Sequence, residues 1–277
     1  MRERDLYSVG EASKLCKVSK KALRFYDEIG IISPDETGKN DYRYYSKDTL
    51  MAIPVIKYYK QMGFKLGEMR DFINGGSTYA QIQHSFKSKI VELDRERLKL
   101  EEQYTSVSDW LDLVIEASVI IASQATGVSV KYFDMTEYLF FEQPYNANHK
   151  DAIINIEFTN YVDSLSNAIT GPVIRQFDSF REKIRGVCST QRILQKTVFP
   201  CAPAQTKRFG GNIMLSCYHI GTHERINETY GKMLRWSENH GYICGESAAE
   251  RYVIDYWTTD DVSRHVTEII IDISKAP

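Results

Sequence analysis

Residues 77–126 contain neither proline nor glycine, and one side-chain position recurs through them in alternating steps of four and three. Phe86, Ile90, Leu93, Arg97, Leu100, Tyr104, Val107, Leu111, Val114 and Ser118 occupy this seam, and eight of the ten are apolar or aromatic. Lys, Arg, Glu and Asp crowd the positions between them. The period and the lack of breakers predict one long helix. A helix with a single narrow apolar stripe cannot bury that stripe by itself. It needs a facing helix, most simply the same helix of a second chain in a coiled coil, and the alternative is packing onto its own domain. Arg97 within the seam limits register rather than adding stability. The helix divides the chain into residues 1–76, 77–125 and 126–277.

Charge follows the same division. The whole chain has 35 Lys+Arg and 37 Asp+Glu, a net charge of -2 that argues against a nucleic-acid partner. By segment the balance is net +3, then -3, then -2, so the amino-terminal segment is the basic one. No apolar run reaches the length of a membrane-spanning helix, so no membrane partner is expected. The start, MRERDLYSVG, lacks the apolar core of a secretory signal. Cys16, Cys188, Cys201, Cys217 and Cys244 are widely spaced, with no C-x-x-C. They read as free thiols of a cytoplasmic protein, and no metal site or cofactor is expected.

Two short helical patterns open the basic segment. The first starts at Val9 or Ser8 and turns Ala12 and Leu15 inward. After a turn at 16–18, Ser19 can cap the second, in which Ala22, Leu23, Tyr26 and Ile29 are periodic. This is a helix-turn-helix in outline, with Lys20, Lys21 and Arg24 at the start of the second helix, where a recognition helix meets a major groove. Gly30 and Pro34 stop that helix. Residues 35–45, with Gly38-Lys39-Asn40-Asp41 at the tip, read as a two-stranded wing, and Tyr42-Arg43-Tyr44-Tyr45 offers a cation and hydroxyls to phosphate oxygens. Ser46 can cap a further helix through Gln61.

After Gly127 the period falls to two, at Val128, Val130 and Tyr132, followed by an apolar run from Tyr138 to Phe141. A helix fits 149–168, ended by Gly171-Pro172. A strand at 213–220, a helix capped by Thr222 and closed by Gly241, and strands at 252–257 and 265–273 follow. The expected carboxy-terminal fold is α+β, with two strand–helix–strand units in tandem.

Four blocks in the first segment stand together: Tyr7-Ser8-Val9-Gly10-Glu11-Ala12, Ala22-Leu23-Arg24-Phe25-Tyr26-Asp27, Tyr42-Arg43-Tyr44-Tyr45, and Met62-Gly63-Phe64-Lys65-Leu66-Gly67-Glu68-Met69. In order and spacing they resemble the MerR family over about residues 6–73, with Phe25 where the family usually has a tyrosine. The resemblance implies a multi-domain protein: a winged helix-turn-helix, a dimerising coiled-coil helix and a sensor. It implies a homodimer on a palindromic spacer of double-stranded promoter DNA, which it bends and untwists so that RNA polymerase engages, a form of indirect readout. It carries over Ser19, Lys20, Lys21, Arg24, Tyr26, Arg43 and Tyr44 as DNA contacts.

The metal-sensing and redox-sensing members of that family carry cysteines after the helix; residues 116–125 here have none. The length beyond, and the closing Glu250-Arg251-Tyr252-Val253-Ile254-Asp255-Tyr256-Trp257 with a final apolar strand, resemble the GyrI-like effector domain of the multidrug-sensing branch. The resemblance implies a lipophilic, cationic small-molecule effector with Glu250 as the pocket carboxylate. Flat aromatic walls suit such a ligand, and a desolvated anion selects its charge. Candidate walls are Tyr138, Phe140, Phe141, Tyr145, Tyr218, Trp236, Tyr252 and Trp257, with Tyr252 on the strand face of Glu250 and Trp257 on the other. No G-x-S-x-G or phosphate-loop motif is present, so the chain is expected not to be an enzyme. A pure repressor, and a sequestering or hydrolytic protein tethered to DNA, are the alternatives.

Overall fold

The computed structural model describes residues 6–39 and 41–276. Residues 1–5, half of the stretch read against a secretory signal, and Asn40 at the wing tip lie outside the described residues. The chain separates into two compact units, residues 1–98 and 99–277.

In the first unit, β1 (Leu6–Ser8) leads into α1 (Val9–Cys16). The Glu11 carboxylate accepts the Ser8 N–H at 2.9 Å, while Ser8 Oγ accepts the Glu11 N–H at 3.4 Å. This reciprocal capping box fixes the helix start. α2 (Lys20–Glu28) begins where Ser19 Oγ accepts the Ala22 N–H at 3.0 Å. Gly30 then turns the chain at φ +69°, a backbone state only glycine adopts cheaply. β2 (Glu36–Thr37) and β3 (Arg43–Ser46) form the wing, and β1 joins β3 to make three strands rather than two. The helix expected from Ser46 through Gln61 is two, α3 (Lys47–Leu50) and α4 (Ala52–Gln61). Pro54 accounts for the break: it offers no N–H to the Leu50 carbonyl, and its ring clashes there. With α5 (Leu66–Ile73), these elements close over Leu23, Tyr45, Ile53, Ile56 and Met69, all buried.

α6 runs unbroken over Tyr79–Ser123, within the expected range. Phe86 packs against Tyr59, Phe64 and Phe72, and from Ile90 to Ser118 the seam is open along the single chain: Leu100 is 65%, Tyr104 77% and Val107 69% exposed. Within the second unit a different face of α6, that of Leu113, Ala117 and Ile120, is buried against Val253, Ile254 and Val266. Burial on its own domain therefore uses one stripe and leaves the heptad stripe free.

The second unit is one antiparallel eight-stranded sheet with helices. In chain order it has β4 (Ser129–Phe133), β5 (Thr136–Pro144), α7 (His149–Ile153), α8 (Ile156–Ser164), β6 (Ile169–Phe177), α9 (Phe180–Arg185), β7 (Thr190–Thr197) and β8 (Thr206–Phe209). β9 (Asn212–Ile220), α10 (Ile226–Asn239), β10 (Tyr242–Ile254) and β11 (Val266–Lys275) follow. The strand order is β4-β9-β11-β10-β6-β7-β5-β8. Read outward from the centre, β10-β11-β9 mirrors β6-β7-β5, so the tandem repeat expected from the sequence is a pseudo-two-fold between β10 and β6.

Three local expectations change. The single helix over 149–168 is α7 and α8, because Asn155 Oδ1 accepts the Phe158 N–H at 2.7 Å and starts a new helix. Gly171-Pro172 ends no helix; it lies inside β6, where the ladder shifts register between Thr170 and Ile174. Gly171 at φ +69° and a proline lacking a donor suit such a bulge. The strand read at 252–257 is the end of β10, which begins ten residues earlier, and residues 255–257 have left the sheet.

Candidate effector site and nucleic-acid interface

Lys20, Lys21 and Arg24 are exposed on α2. Lys20, Arg24 and Arg43 line one cleft of about 440 Å³ with Val9, Asp41 and Tyr42. The helix and the wing thus bring three of the residues expected at DNA onto one surface. Arg43 reaches it already paired, its Nε donating to Asp27 at 2.7 Å. Tyr44 is half-buried, and Ser19 is engaged as the helix cap. Tyr26 does not join them. It is buried in the core, and its hydroxyl accepts from Lys60 at 3.4 Å. The apolar period that makes Tyr26 a core position of α2 takes its ring away from the surface that Arg24 occupies.

Glu250 sits at the pseudo-two-fold, on β10 directly opposite Arg175 of β6. Paired residues of an antiparallel ladder point to one face, and this face is the one covered by α7 to α10. Glu250 is fully buried and accepts three bonds: from Lys183 Nζ at 2.5 Å, Tyr230 OH at 2.9 Å and Tyr252 OH at 2.8 Å. Burial alone would raise its carboxyl, but the Lys183 ammonium and the Arg175 guanidinium outweigh burial and hold it well below the usual carboxylate range. The carboxylate expected to wait unpaired for a cation is therefore already ion-paired within the chain.

Arg175 is fully buried as well. It donates to Gln191 Oε1, to the Asn146 carbonyl at 2.8 Å, to His149 Nδ1 at 3.0 Å and to Tyr252 OH at 3.4 Å. His149 stacks on His223 with ring centres 4.2 Å apart beside this buried cluster, called the inner chamber below. Burial, reinforced by the neighbouring cations, pushes His149 down to about 4; burial and the adjacent His149 push His223 down to about 3. Both rings are neutral at pH 7.

The expected aromatic walls divide between the two sheet faces. Tyr252 shares the face of Glu250, as alternation requires, and Tyr145 lies with its ring 5.6 Å from the Arg175 guanidinium. Phe141 is on the same face, against Phe158 and Tyr161. Tyr145 and Phe141 also line an open cleft of about 760 Å³ that includes Glu142, Asn146, Asp151 and Glu157. Tyr138, Phe140 and Tyr218 are on the opposite face, because their strand positions are in register with Arg251 rather than Glu250. Tyr218 OH there donates to Glu116 of α6 at 2.7 Å. Trp236 stacks on His240 at 3.9 Å and is not brought to Glu250, since α10 turns Tyr230, Met233 and Ser237 inward. Trp257 lies past the end of β10 and donates to the Ile153 carbonyl at 3.4 Å.

The sequence reading missed Arg175, Lys183, Gln191, His149, His223 and Tyr230. No local spacing could have found them: they come from six separate elements or turns.

On the opposite face, Arg251 binds the Glu116 carboxylate of α6 and donates to Glu268 at 2.7 Å. Glu268 also accepts from Ser216 at 2.5 Å and pairs with Lys131. Consecutive residues of β10 thus hold the chamber on one side and the helix on the other.

Comparison with known proteins agrees with both units. Residues 8–45 match the MerR family regulatory protein model, and residues 187–274 match the GyrI-like small molecule binding domain. The chain is similar to the multidrug-efflux transporter 2 regulator of Bacillus subtilis (strain 168), 27% identical over 97% of each chain. It is 30% identical to the multidrug-efflux transporter 1 regulator of the same organism over 44% of this chain and 49% of that one. A cryo-EM structure of an EcmrR–DNA complex superposes with a TM-score of 0.44 at 18% identity, covering 98% of this chain and 100% of that one. Among the described residues no helix is long and apolar enough to cross a membrane. With its winged helix-turn-helix, its long helix and its pseudo-symmetric carboxy-terminal sheet, the chain carries a MerR-type DNA-binding domain and a GyrI-like small-molecule-binding domain.

Proposed function

We propose that this chain is a ligand-responsive transcription activator in three parts: a DNA reader over 1–76, a dimerising helix over 77–125 and an effector domain over 126–277. The observation that carries the reading is the placement of Glu250 and Arg251. One faces the buried charge cluster of Lys183 and Arg175 and the other grips α6 through Glu116, so a molecule that reorganises the cluster acts on the strand that holds the helix. The exposed seam of α6 supports a homodimer through the same helix of a second copy. Lys20, Lys21, Arg24 and Arg43 contact phosphates and base edges of a promoter duplex, and the two copies read a palindrome.

The effector is a small lipophilic molecule with a cationic group. The open cleft supports this, since the rings of Phe141 and Tyr145 stand beside Glu142, Asp151 and Glu157. Within the inner chamber a cation reaches Glu250 only by displacing Lys183. The protein distorts its promoter and recruits RNA polymerase when the effector is bound; it is not an enzyme, and effectors are recovered unchanged. Run-off transcription with the full chain and a panel of lipophilic cations tests the reading. Ligand-dependent transcript is expected. Transcript that falls with protein and never rises with ligand makes the chain a repressor.

A further inference from the structure

The buried cluster around Glu250 holds more positive charge than it neutralises. Lys183 and Arg175 are both buried, and among the described residues one carboxylate, Glu250, serves the pair. Lys183 takes its direct ion pair. Every direct acceptor of Arg175 is neutral: an amide, a backbone carbonyl, an imidazole nitrogen and a phenol. Glu250 stands opposite Arg175 but must serve both cations, and two buried cations sharing one carboxylate are unfavourable unless something else supplies the second charge. The second observation is independent of charge. Gln191 is buried and spends its carbonyl oxygen on Arg175, while its Nε2 has no partner among the described residues. A buried donor left empty is rare in native proteins and costs free energy. An excess cation and an orphan donor side by side call for the same thing, an acceptor-rich anion. Arg175 also reaches His149, which is only half-buried and belongs to a helix of only five residues.

We infer that the buried cluster around Arg175 receives an anionic group of the effector, a carboxylate or similar oxyanion, which takes the place of the His149 ring and binds Arg175 and Gln191. This rests on the reading of the domain as an effector domain. It adds that the ligand is dipolar: its anionic end lies on Arg175, while its cationic part remains in the acidic cleft bordered by Tyr145 and Asn146. That segment joins the two spaces, for the Asn146 carbonyl accepts from Arg175 while its neighbours line the cleft.

The test uses the full-length chain and three probes on one phenylalkyl body: 4-phenylbutyrate, neutral 4-phenylbutyramide and trimethyl(3-phenylpropyl)ammonium. Calorimetry is expected to give at least tenfold tighter binding of the carboxylate than of the amide. Gln191→Glu, which supplies Arg175 with a permanent carboxylate, is expected to abolish that preference while leaving the fold intact. His149→Ala, which removes the ring that the anion displaces, is expected to strengthen carboxylate binding several-fold. Equal affinity for carboxylate and amide, no carboxylate binding, or a preference unchanged by Gln191→Glu overturns the inference. The ammonium probe separates this from the broader reading: if it binds and drives run-off transcription while the carboxylate does not bind, the effector domain stands and the anion chamber falls.

Discussion

The two units treat charge in opposite ways. The DNA-reading unit keeps Lys20, Lys21 and Arg24 in water on the surface of α2. The carboxy-terminal unit takes Arg175, Lys183, Glu250 and Glu268 out of water altogether. Exposed cations attract a polyanion over a distance set by salt, and they contribute little to the fold. Buried ones act only at contact, and each must be matched within the chain or by a ligand. A duplex is met by the first arrangement, and a single small molecule is selected by the second.

Glu250→Ala tests the contrast most severely. It strands two buried cations, so denaturant unfolding is expected to show a loss of roughly 3–5 kcal/mol in the carboxy-terminal transition. The amino-terminal transition should not move. A loss below about 1 kcal/mol would show that water reaches the chamber freely.

Acid comes next. His149 and His223 titrate near 4 and near 3 in the folded chain, below the 6.5 of a free imidazole. The unfolded state therefore binds more protons below pH 6.5, and stability falls as pH drops from 6.5 towards 4. A loss of roughly 2–3 kcal/mol per ring is expected over that window, confined to the carboxy-terminal unit. His223→Phe should remove about half of it. A pH-independent melting profile would mean that the two rings are open to solvent.

Glu116→Gln weakens the hold of Arg251 on α6 and is expected to destabilise by about 1–2 kcal/mol. Its sharper readout is function: effector affinity should persist while activation falls. Equal loss of both would place Glu116 in folding alone.

The smallest effects belong to the surface cations. Arg24→Ala is expected to weaken binding to every duplex by about tenfold and to lower the salt slope by about one. Arg43→Ala should do less, since its guanidinium is shared with Asp27, and Asp27→Ala should partly reverse the order. Fold stability should change by less than about 0.5 kcal/mol for Arg24→Ala.

The amino-terminal unit was legible almost residue by residue. Ser19 was read as a cap and is one, Ser8 was read as a possible first helical residue and is the cap instead, and Gly30 was read as a stop and is one. Tyr26 was misplaced because a motif position says which residues recur and not which side of a helix turns inward. In the carboxy-terminal unit the closing strands and Glu250 were found, but β6, α9 and β7 were not. Phe180–Arg185 is too short to show a period, and it carries Lys183. The aromatic walls were scattered over two sheet faces, because faces depend on register across strands distant in sequence.

The sequence by itself determined several helix boundaries of the amino-terminal unit, that a long seam stands open for a partner, and which families the two ends resemble. Those properties are set within a few residues: a side-chain oxygen three positions from an N–H, a seven-residue period, a glycine at positive φ. Only the tertiary structure decided what Glu250 meets. Lys183 lies 67 residues away in the chain and Tyr230 lies 20 away, and neither spacing carries a signal. Their convergence is fixed by strand order around the pseudo-two-fold and by the helices folded over one sheet face. Burial there turns a surface-type carboxylate into the centre of a closed charge cluster.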